Sequence, residues 1–171
     1  VTGRESEIEE WQNLMSQLKE KEIPVIRLSG GDKINQNENV ISFLSPTPAI
    51  SQSGELNDTS FVNLVDLGKF KLLLTGDIGF SIEGFLTSNF SGLSADILKV
   101  GHHGSKYSTS EAFLGAVKPK VAVIEVGENR YGHPTSEVLD RLSEMKVFRT
   151  DEDGTIKVVA DGTKLQIYTN R

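Results

Sequence analysis

The stretch from residue 60 to residue 150 alternates short apolar runs with longer amphipathic segments. Apolar runs of this length, bounded by glycine or polar residues, are typical of buried strands. The segments between them carry apolar residues at the spacing of helices that pack on one face. The pattern therefore predicts a β-sheet with helices packed on its outer face.

The same reasoning predicts elements along nearly the whole chain. Strands are predicted at 23–28, 39–46, 60–67, 70–76, 95–100, 120–126, 146–150, 154–160 and 164–170. Helices are predicted at 5–21, 80–89, 108–117 and 134–145, and the segments 29–33 and 47–59 have the composition of a turn and a loop. The sequence has no internal repeat, low-complexity tract or long linker, so it predicts one unit.

Composition limits the class of protein and the kinds of site. Of the 171 residues, 37% are apolar and 25% are charged, and no apolar run approaches the ~18 residues of a membrane span. The first twenty residues are acidic and amphipathic, unlike a signal peptide. Because the chain begins with Val1 and not with methionine, we expect that a preceding segment has been removed.

The absence of cysteine excludes disulfides, thiolate metal sites and cysteine nucleophiles. A net charge of −6 disfavours a broad basic surface for duplex nucleic acid. Bound cations reverse the local charge, however, so the net charge does not argue against a nucleic acid held at a metal site.

Residues able to bind metal ions or move protons follow three predicted strands. Asp77 follows the strand 70–76, His102 and His103 follow the strand 95–100, and His133 comes between a strand and a helix. A carboxylate and imidazoles of this kind suit a zinc or manganese ion. Because strand ends collect at one edge of a layered fold, we expect these four residues to form one site. If the two adjacent histidines continue the strand, they face opposite ways, so one ligates and the other orients or contacts substrate.

Each of these residues also has a purely structural interpretation. Asp77 alone is explained as a turn residue or as the cap of the helix that begins near Phe80. His102 and His103 are explained as turn residues satisfied by backbone groups, and His133 as the residue before a helix. The set is also short of ligands, because a site for two ions ~3.5–4 Å apart needs about twice the two or three ligands present here.

Four segments resemble the metallo-β-lactamase-fold domain of ComEC-type competence proteins and their stand-alone relatives. They are KFKLLLTGDIG, ADILKVGHHGSKYSTSEAFLGAVKPKVAVIEVG, NRYGHPTSEVLDRL and FRTDEDGTIKV. GDKINQNENVISFLSPTP and LNDTSF are similar to a less distinctive segment before them. The combination of GHHGS with YGHP makes the resemblance specific.

The resemblance implies an α+β fold, the metallo-β-lactamase-like αββα sandwich, with a two-metal hydrolytic site at one edge. Asp77 matches the aspartate that bridges the metals. His102 and His103 match a histidine motif, and the sequence leaves open which of the two binds metal. His133 matches a histidine beside the substrate phosphate or leaving group. Three further positions match polar residues expected to bind substrate: Ser105, Lys106 and Asn57.

One departure from the family concerns the opening motif His-x-His-x-Asp-His, which this chain lacks together with the first strand of the fold. The resemblance thus implies that residues 1–171 are the C-terminal portion of a single metallo-β-lactamase-like domain. The missing ligands come from an N-terminal part of the domain, or the chain is a degenerate member. We favour the first alternative because the four site residues are kept in register.

The resemblance implies a metal-dependent hydrolase of the phosphodiesterase or nuclease type, which acts on DNA during uptake with two zinc or manganese ions. Expected partners are single-stranded DNA or another phosphodiester, the missing N-terminal part and a membrane-channel domain of the same protein. The expected location is the outer side of the cell membrane, or the cytoplasm for a stand-alone relative. The isolated chain is expected to bind metal weakly and to turn over little substrate.

Two alternatives to this function stay open at the level of sequence. In the first alternative, the chain is a non-catalytic binding module whose histidines are structural and whose acidic first helix mediates contact. The other alternative keeps hydrolysis but replaces DNA with a small ester, such as a phosphocholine or a lactone.

Overall fold

The computed structural model describes residues 6–53 and 55–171 and has a mixed α/β fold built on a seven-stranded sheet. The strands of this sheet are β1 Lys33–Gln36, β2 Asn39–Ser45, β3 Val62–Asp66, β4 Lys71–Leu74, β5 Ile97–Lys99, β6 Val121–Ile124 and β7 Lys146–Arg149. A separate two-stranded antiparallel sheet is formed by β8 Thr155–Ala160 and β9 Leu165–Asn170.

The helices are α1 Glu9–Glu20, α2 Pro48–Ser53, α3 Phe80–Asn89, α4 Glu111–Val117, α5 Ser136–Arg141 and α6 Thr150–Asp153. Two short 3₁₀ turns span Asn57–Thr59 and Gly101–Gly104. Within residues 6–53 and 55–171, no helix is both long enough and apolar enough to cross a lipid bilayer.

Strand direction changes in the middle of the large sheet, and this change positions the candidate site. The strands lie side by side in chain order, antiparallel from β1 to β4 and parallel from β4 to β7. In register, Leu73 of β4 lies beside Leu98 of β5, which lies beside Ala122 of β6. The carboxyl ends of β4, β5, β6 and β7 therefore meet at one edge, where ligands collect in open α/β sheets.

One face of the sheet packs against α3, α4 and α5 to form the core. Leu73 and Leu98 of the strands are fully buried there, as are Leu86 of α3, Phe113 of α4 and Val138 of α5. Each such side chain contributes about 1.5–3 kcal/mol when it leaves water. In the sheet centre, every second residue of these strands thus faces this helical layer.

The opposite face of the same strands is apolar but incompletely covered. Leu72, Val121 and Val123 are half-buried, and Leu74 is 38% exposed. Helix α1 likewise buries none of its residues, although its sequence is amphipathic. The expectation that the chain is the C-terminal portion of one domain stays a prediction.

Most predicted elements are confirmed. Helix 80–89 is α3 with the same bounds, and the predicted strands from 39–46 onward correspond to β2 through β9 with shorter ends. The helices predicted at 108–117 and 134–145 are also present, but they are shorter. The helix predicted at 5–21 begins at Glu9, and residue 5 lies outside the described residues.

The prediction of a strand at 23–28 is wrong. In the described part of the chain this segment is not paired with any strand, and Ile23 and Ile26 are 48% and 65% exposed. A short apolar run forms a strand only where a neighbouring strand supplies hydrogen-bond partners.

Two further local predictions are corrected. The predicted turn at 29–33 runs into the unpredicted strand β1, which pairs with β2 through a tight turn where Asn37 has a φ of +54°. The predicted loop 47–59 contains α2, which begins at Pro48, a residue favoured at the first position of a helix.

A buried carboxylate on α3 holds the loop that follows the two adjacent histidines. Glu83 is 1% exposed and accepts hydrogen bonds from the backbone N–H groups of Thr109 and Ser110, the latter at 2.8 Å. Burial raises the pKa of this carboxyl above its ordinary value, while the two N–H donors and the positive charge of Arg141 act in the opposite direction. Arg141 donates to the carbonyl of Ser108 at 3.0 Å, so the loop is tied from two helices.

We expect Glu83→Gln to lower the free energy of unfolding by about 1–3 kcal/mol at pH 8, because the amide NH₂ leaves one backbone N–H without an acceptor. Urea unfolding measures the change. The control is Glu111→Gln on the exposed first turn of α4, which should shift the free energy of unfolding by less than about 0.5 kcal/mol. Equal losses in the two variants would contradict the anchoring role.

Candidate functional site

The turn after β4 delivers Asp77 to the sheet edge. The hydroxyl of Thr75 donates to the carbonyl of Lys99 at 2.7 Å, which ties β4 to β5 where both strands end. Gly76 has a φ of +55°, and a Cβ at this position would lie 2.7 Å from Cβ of Ser60, so only glycine fits. The N–H of Asp77 then donates to Oγ of Ser60 at 3.2 Å. The Asp77 side chain is 38% exposed at this edge.

His102 and His103 lie in a tight turn and not on an extended strand. Both have left-handed backbones, with φ values of +47° and +54°, which are uncommon for residues with a side chain. Gly76 accepts the N–H of His102 at 3.1 Å, and the two ring centroids are 6.5 Å apart. The condition that the two histidines continue the strand is therefore not met, because the chain turns at these residues, and the separation of their roles stays a prediction.

His103 faces Asp77, and its tautomer is set by a backbone carbonyl. Its Nδ1 lies 2.6 Å from the carbonyl oxygen of Glu125 at the end of β6. A carbonyl only accepts, so Nδ1 carries the proton, and in the neutral ring Nε2 is an acceptor. That Nε2 lies 3.6 Å from Oδ1 of Asp77. Two acceptors directed at each other favour a cation between them, either a proton on the ring or a metal ion.

Two charged residues of this edge, Lys99 and Glu125, were missed by the sequence analysis. The Lys99 side chain is 12% exposed, and its ammonium donates to the carbonyl of Gly76 at 3.1 Å. It also lies 4.0 Å from Oδ1 of Asp77 and 3.7 Å from Oε2 of Glu125. The available signal was a charged residue at the second-last position of each predicted strand, directly after apolar residues, in both ADILKV and KVAVIEV.

His133 enters the site from the loop before α5. Gly104 clamps this loop, since its carbonyl accepts the N–H of Thr135 at 3.0 Å and a Cβ on Gly104 would overlap Pro134. The His133 ring centroid is 5.7 Å from that of His102. Burial lowers the pKa of His133 below its ordinary value of 6.5, and His102 and His103 lower it further by charge repulsion. At neutral pH the ring is therefore neutral.

The remaining predicted residues lie around this group. Ser105 is 5% exposed, and its Oγ accepts the N–H of Tyr107 at 3.4 Å. Lys106 is exposed, with its ammonium 5.1 Å from the Tyr107 ring centre. Asn57 is exposed, and its carbonyl accepts the N–H of Ser60, the residue that also holds Asp77. Hence the structure links Asp77, the two adjacent histidines and His133, places Ser105 in the interior, and leaves Lys106 and Asn57 exposed.

Asp77 and His103 fit two ligands of a metal ion, because their acceptor atoms converge and the histidine tautomer is fixed. Among the described residues, no group of three or more His, Cys, Asp or Glu side chains is arranged to hold a metal ion. Further ligands are needed for a complete site. Their origin in another part of the domain stays a prediction.

Comparisons with known proteins find relatives named for competence and recombination. The chain is 35% identical over 152 residues to ComE operon protein 3 of Bacillus subtilis, covering 85% of this chain. It is 38% identical over 131 residues to Recombination protein 2 of Haemophilus influenzae, and 40% identical over 105 residues to Competence protein ComA of Neisseria gonorrhoeae, covering 75% and 59% of this chain. The aligned parts span 19%, 16% and 15% of the lengths of these relatives.

Two other comparisons add little to this result. No protein-family model matches the chain. A crystal structure of a protein from Parabacteroides distasonis, provisionally named a metal-dependent hydrolase, aligns with a TM-score of 0.48 at 15% identity. The alignment covers 76% of this chain and 60% of that protein, and a score at this level carries no argument about fold or activity.

We expect NMR titration to give His133 a pKa below 6.5, because burial and the neighbouring histidines oppose its protonation. Since the folded-state pKa is the lower one, the stability linked to neutral His133 is present above pH 6.5 and is lost as the pH falls through the folded-state pKa. His102→Asn removes one neighbouring charge and should raise the pKa of His133. A pKa at or above 6.5 in the unsubstituted protein would contradict this environment.

Lys99→Met is expected to lower the free energy of unfolding by about 1–3 kcal/mol, because the Gly76 carbonyl loses one of its two donors and two carboxylates lose a shared cation. The matched control is Lys120→Met, whose ammonium is 80% exposed and lies 2.8 Å from Asp96. An exposed ion pair of that kind contributes about 0–1 kcal/mol. Urea unfolding of both variants measures the difference, and equal losses would show that Lys99 has no special role.

Proposed function

We propose, on the premise that this chain is homologous to a segment of ComEC-type competence proteins, that it forms part of a metal-dependent phosphodiesterase that acts on DNA during uptake. The observation that carries the proposal is the arrangement of Asp77 and His103. Their acceptor atoms face each other at 3.6 Å while the Glu125 carbonyl fixes the ring tautomer. This is the pattern of a metal-ligating histidine oriented by a backbone acceptor.

Divalent ions, zinc or manganese, would supply Lewis-acid activation of water and positive charge for the phosphate oxygens at such a site. Asp77 and His103 would be the ligands that this chain contributes. Lys99 holds the Asp77 and Glu125 carboxylates in position through its ammonium. Two ions are more than these ligands alone can bind, so this role requires ligands beyond the described residues.

His133 is suited to a role next to the leaving oxygen. Its pKa is lowered, so the neutral ring can donate one N–H hydrogen bond or accept a proton near neutral pH. His102 lies between His103 and His133 and contributes ligation or orientation. Lys106 and Asn57 are exposed and are proposed to contact the substrate. Buried Ser105 supports the turn, since its Oγ accepts a backbone N–H.

We further propose that another part of the longer protein completes an αββα sandwich and supplies the missing metal ligands. The half-covered apolar face of β4 and β6 supports this proposal, as does the absence of buried residues on α1. A membrane-channel domain in the same protein would place the site on the outer side of the cell membrane. A stand-alone relative would act in the cytoplasm.

A binding module without catalysis is the second candidate. The described residues lack a group of three metal-ligating side chains, which favours this alternative. In that case the histidines contact nucleic acid or a partner protein without hydrolysis.

The test compares this chain with a longer form that includes about 100 further residues upstream, roughly the size needed to complete a domain. Metal content is measured by mass spectrometry, and Mn²⁺- or Zn²⁺-dependent cleavage is measured on labelled single-stranded DNA. We expect only the longer form to hold two metals and to cut. Asp77→Asn and His103→Gln should reduce cleavage by more than about 100-fold, since even outer partners of metal ligands contribute 10–100-fold.

The control for these variants is Asp140→Asn, which changes an exposed carboxylate on α5 and should leave cleavage unchanged. If neither form binds metal or cuts DNA, the hydrolase proposal is wrong and the binding module remains. If the longer form cleaves lactones or phosphocholine esters but not DNA, hydrolysis stands and DNA is the wrong substrate.

A further inference from the structure

We propose that Arg130 and Tyr131 form a stacking surface for an unpaired nucleobase, which makes the site selective for single-stranded nucleic acid over duplexes and small phosphodiesters. This inference rests on the proposed function, because it names the substrate class of the same site. Neither residue belongs to the metal-ligating or acid–base groups described above.

Tyr131 lies beside His133 yet is open to solvent. Its ring stacks on that of His133, with centroids 5.8 Å apart and planes inclined by 29°. The His133 ring in turn lies 5.7 Å from that of His102. Tyr131 is nevertheless 69% exposed, more than either of the other two tyrosines of the chain. A large aromatic ring of this exposure contributes little to folding, and its face is available to a ligand that reaches His133.

The loop that carries Tyr131 is fixed by one side chain. Oδ1 of Asn129 accepts the N–H groups of Tyr131 and His133, each at 3.0 Å. Nδ2 of Asn129 donates to the carbonyls of Gly127 at 2.9 Å and His133 at 2.8 Å. All four contacts hold the backbone around the ring, which lowers the entropic cost of using that ring to bind a ligand.

Arg130 adds a cation to the same surface. Its guanidinium carbon lies 5.4 Å from the Tyr131 ring centre, and Nη2 lies 3.5 Å from the Tyr131 hydroxyl. A guanidinium stacks on bases as well as on tyrosine and also binds phosphate oxygens. Together the two side chains offer a π-surface and a phosphate contact, the combination used by proteins that bind single strands.

Tyr107 and Lys106 form a similar pair after the two adjacent histidines, but the surroundings of the Tyr107 ring are unsuited to a polyanion. Tyr107 borders a depression of about 660 Å³ that is also lined by Glu55 and Asp58. Two carboxylates there repel phosphates. We therefore assign the base-binding role to the Arg130–Tyr131 pair.

A stacking surface of this kind favours a single-stranded nucleic acid as the substrate. In a duplex each base is already stacked and paired, so its face is not available to Tyr131 without the cost of extrusion. Small phosphodiesters have no base to stack. Unpaired bases meet neither obstacle, and stacking tolerates any sequence because every base has a π-face.

The test uses fluorescence anisotropy with three dye-labelled 12-nucleotide probes of similar charge: oligothymidylate, an abasic strand and a hairpin duplex. We expect the chain to bind oligothymidylate about fivefold or more tightly than the abasic strand or the duplex, as one stacked base provides. Tyr131→Ala should weaken oligothymidylate binding about fivefold and leave abasic binding unchanged. Tyr131→Phe should retain the preference, and the control Tyr168→Ala, on exposed β9, should have no effect.

Equal affinities for oligothymidylate and the abasic strand would overturn the inference. So would an equal loss on both probes in Tyr131→Ala, tighter binding of the duplex, or no binding of any probe. Metal-dependent cleavage of labelled single-stranded DNA by the longer form separates this inference from the proposed function. Base-dependent binding without hydrolysis supports the stacking surface and defeats the hydrolase, whereas hydrolysis with base-independent binding does the reverse.

Discussion

The hydrogen bond from Nδ1 of His103 to the Glu125 carbonyl determines the chemistry of the whole sheet edge. It exists because β5 and β6 run parallel, so that the turn after one strand lies against the end of the next. With the proton held on Nδ1, the ring presents Nε2 to the Asp77 carboxylate. A backbone carbonyl cannot change its role with pH, so this tautomer persists whenever the ring is neutral.

Lys99 supplies the positive charge that offsets the carboxylates gathered at this sheet edge. Two carboxylates and an imidazole acceptor at a partly shielded edge repel one another unless a cation is present. The Lys99 ammonium lies between Asp77 and Glu125 and is held by the Gly76 carbonyl. It therefore stabilises the edge without any metal, and metal ions held as proposed by Asp77 and His103 would add further positive charge there.

The convergence of the site was predictable from sequence, but its internal geometry was not. Residues that follow successive parallel strands must meet at one edge, so the grouping of Asp77 with His102, His103 and His133 required only the strand pattern. The resemblance to ComEC-type competence proteins, confirmed by homologous relatives, rested on those motifs. The left-handed turn at the histidines depends on the fit between the Gly76 and Gly101–Gly104 turns, which no local pattern contains.

Other misses have the same origin in long-range contacts. The segment 23–28 has the apolar composition of a strand, yet strand pairing decides whether a strand forms. The anchoring role of Glu83 could not be predicted from its local sequence, because the loop it anchors begins more than twenty residues later. Lys99 looked like an isolated charge in a strand until Gly76 and Glu125 were placed beside it.

The balance of charges constrains how an acidic chain can hold a polyanion. Lys99 is committed to two carboxylates, so exposed Lys106 and Arg130 are the site cations best placed to meet a phosphate. Two cations release few counterions, so electrostatic attraction alone gives weak binding with a shallow dependence on salt. Affinity must then come from metal ions or from contacts that do not depend on charge. Base stacking on Tyr131 is such a contact, and it favours strands whose bases are free.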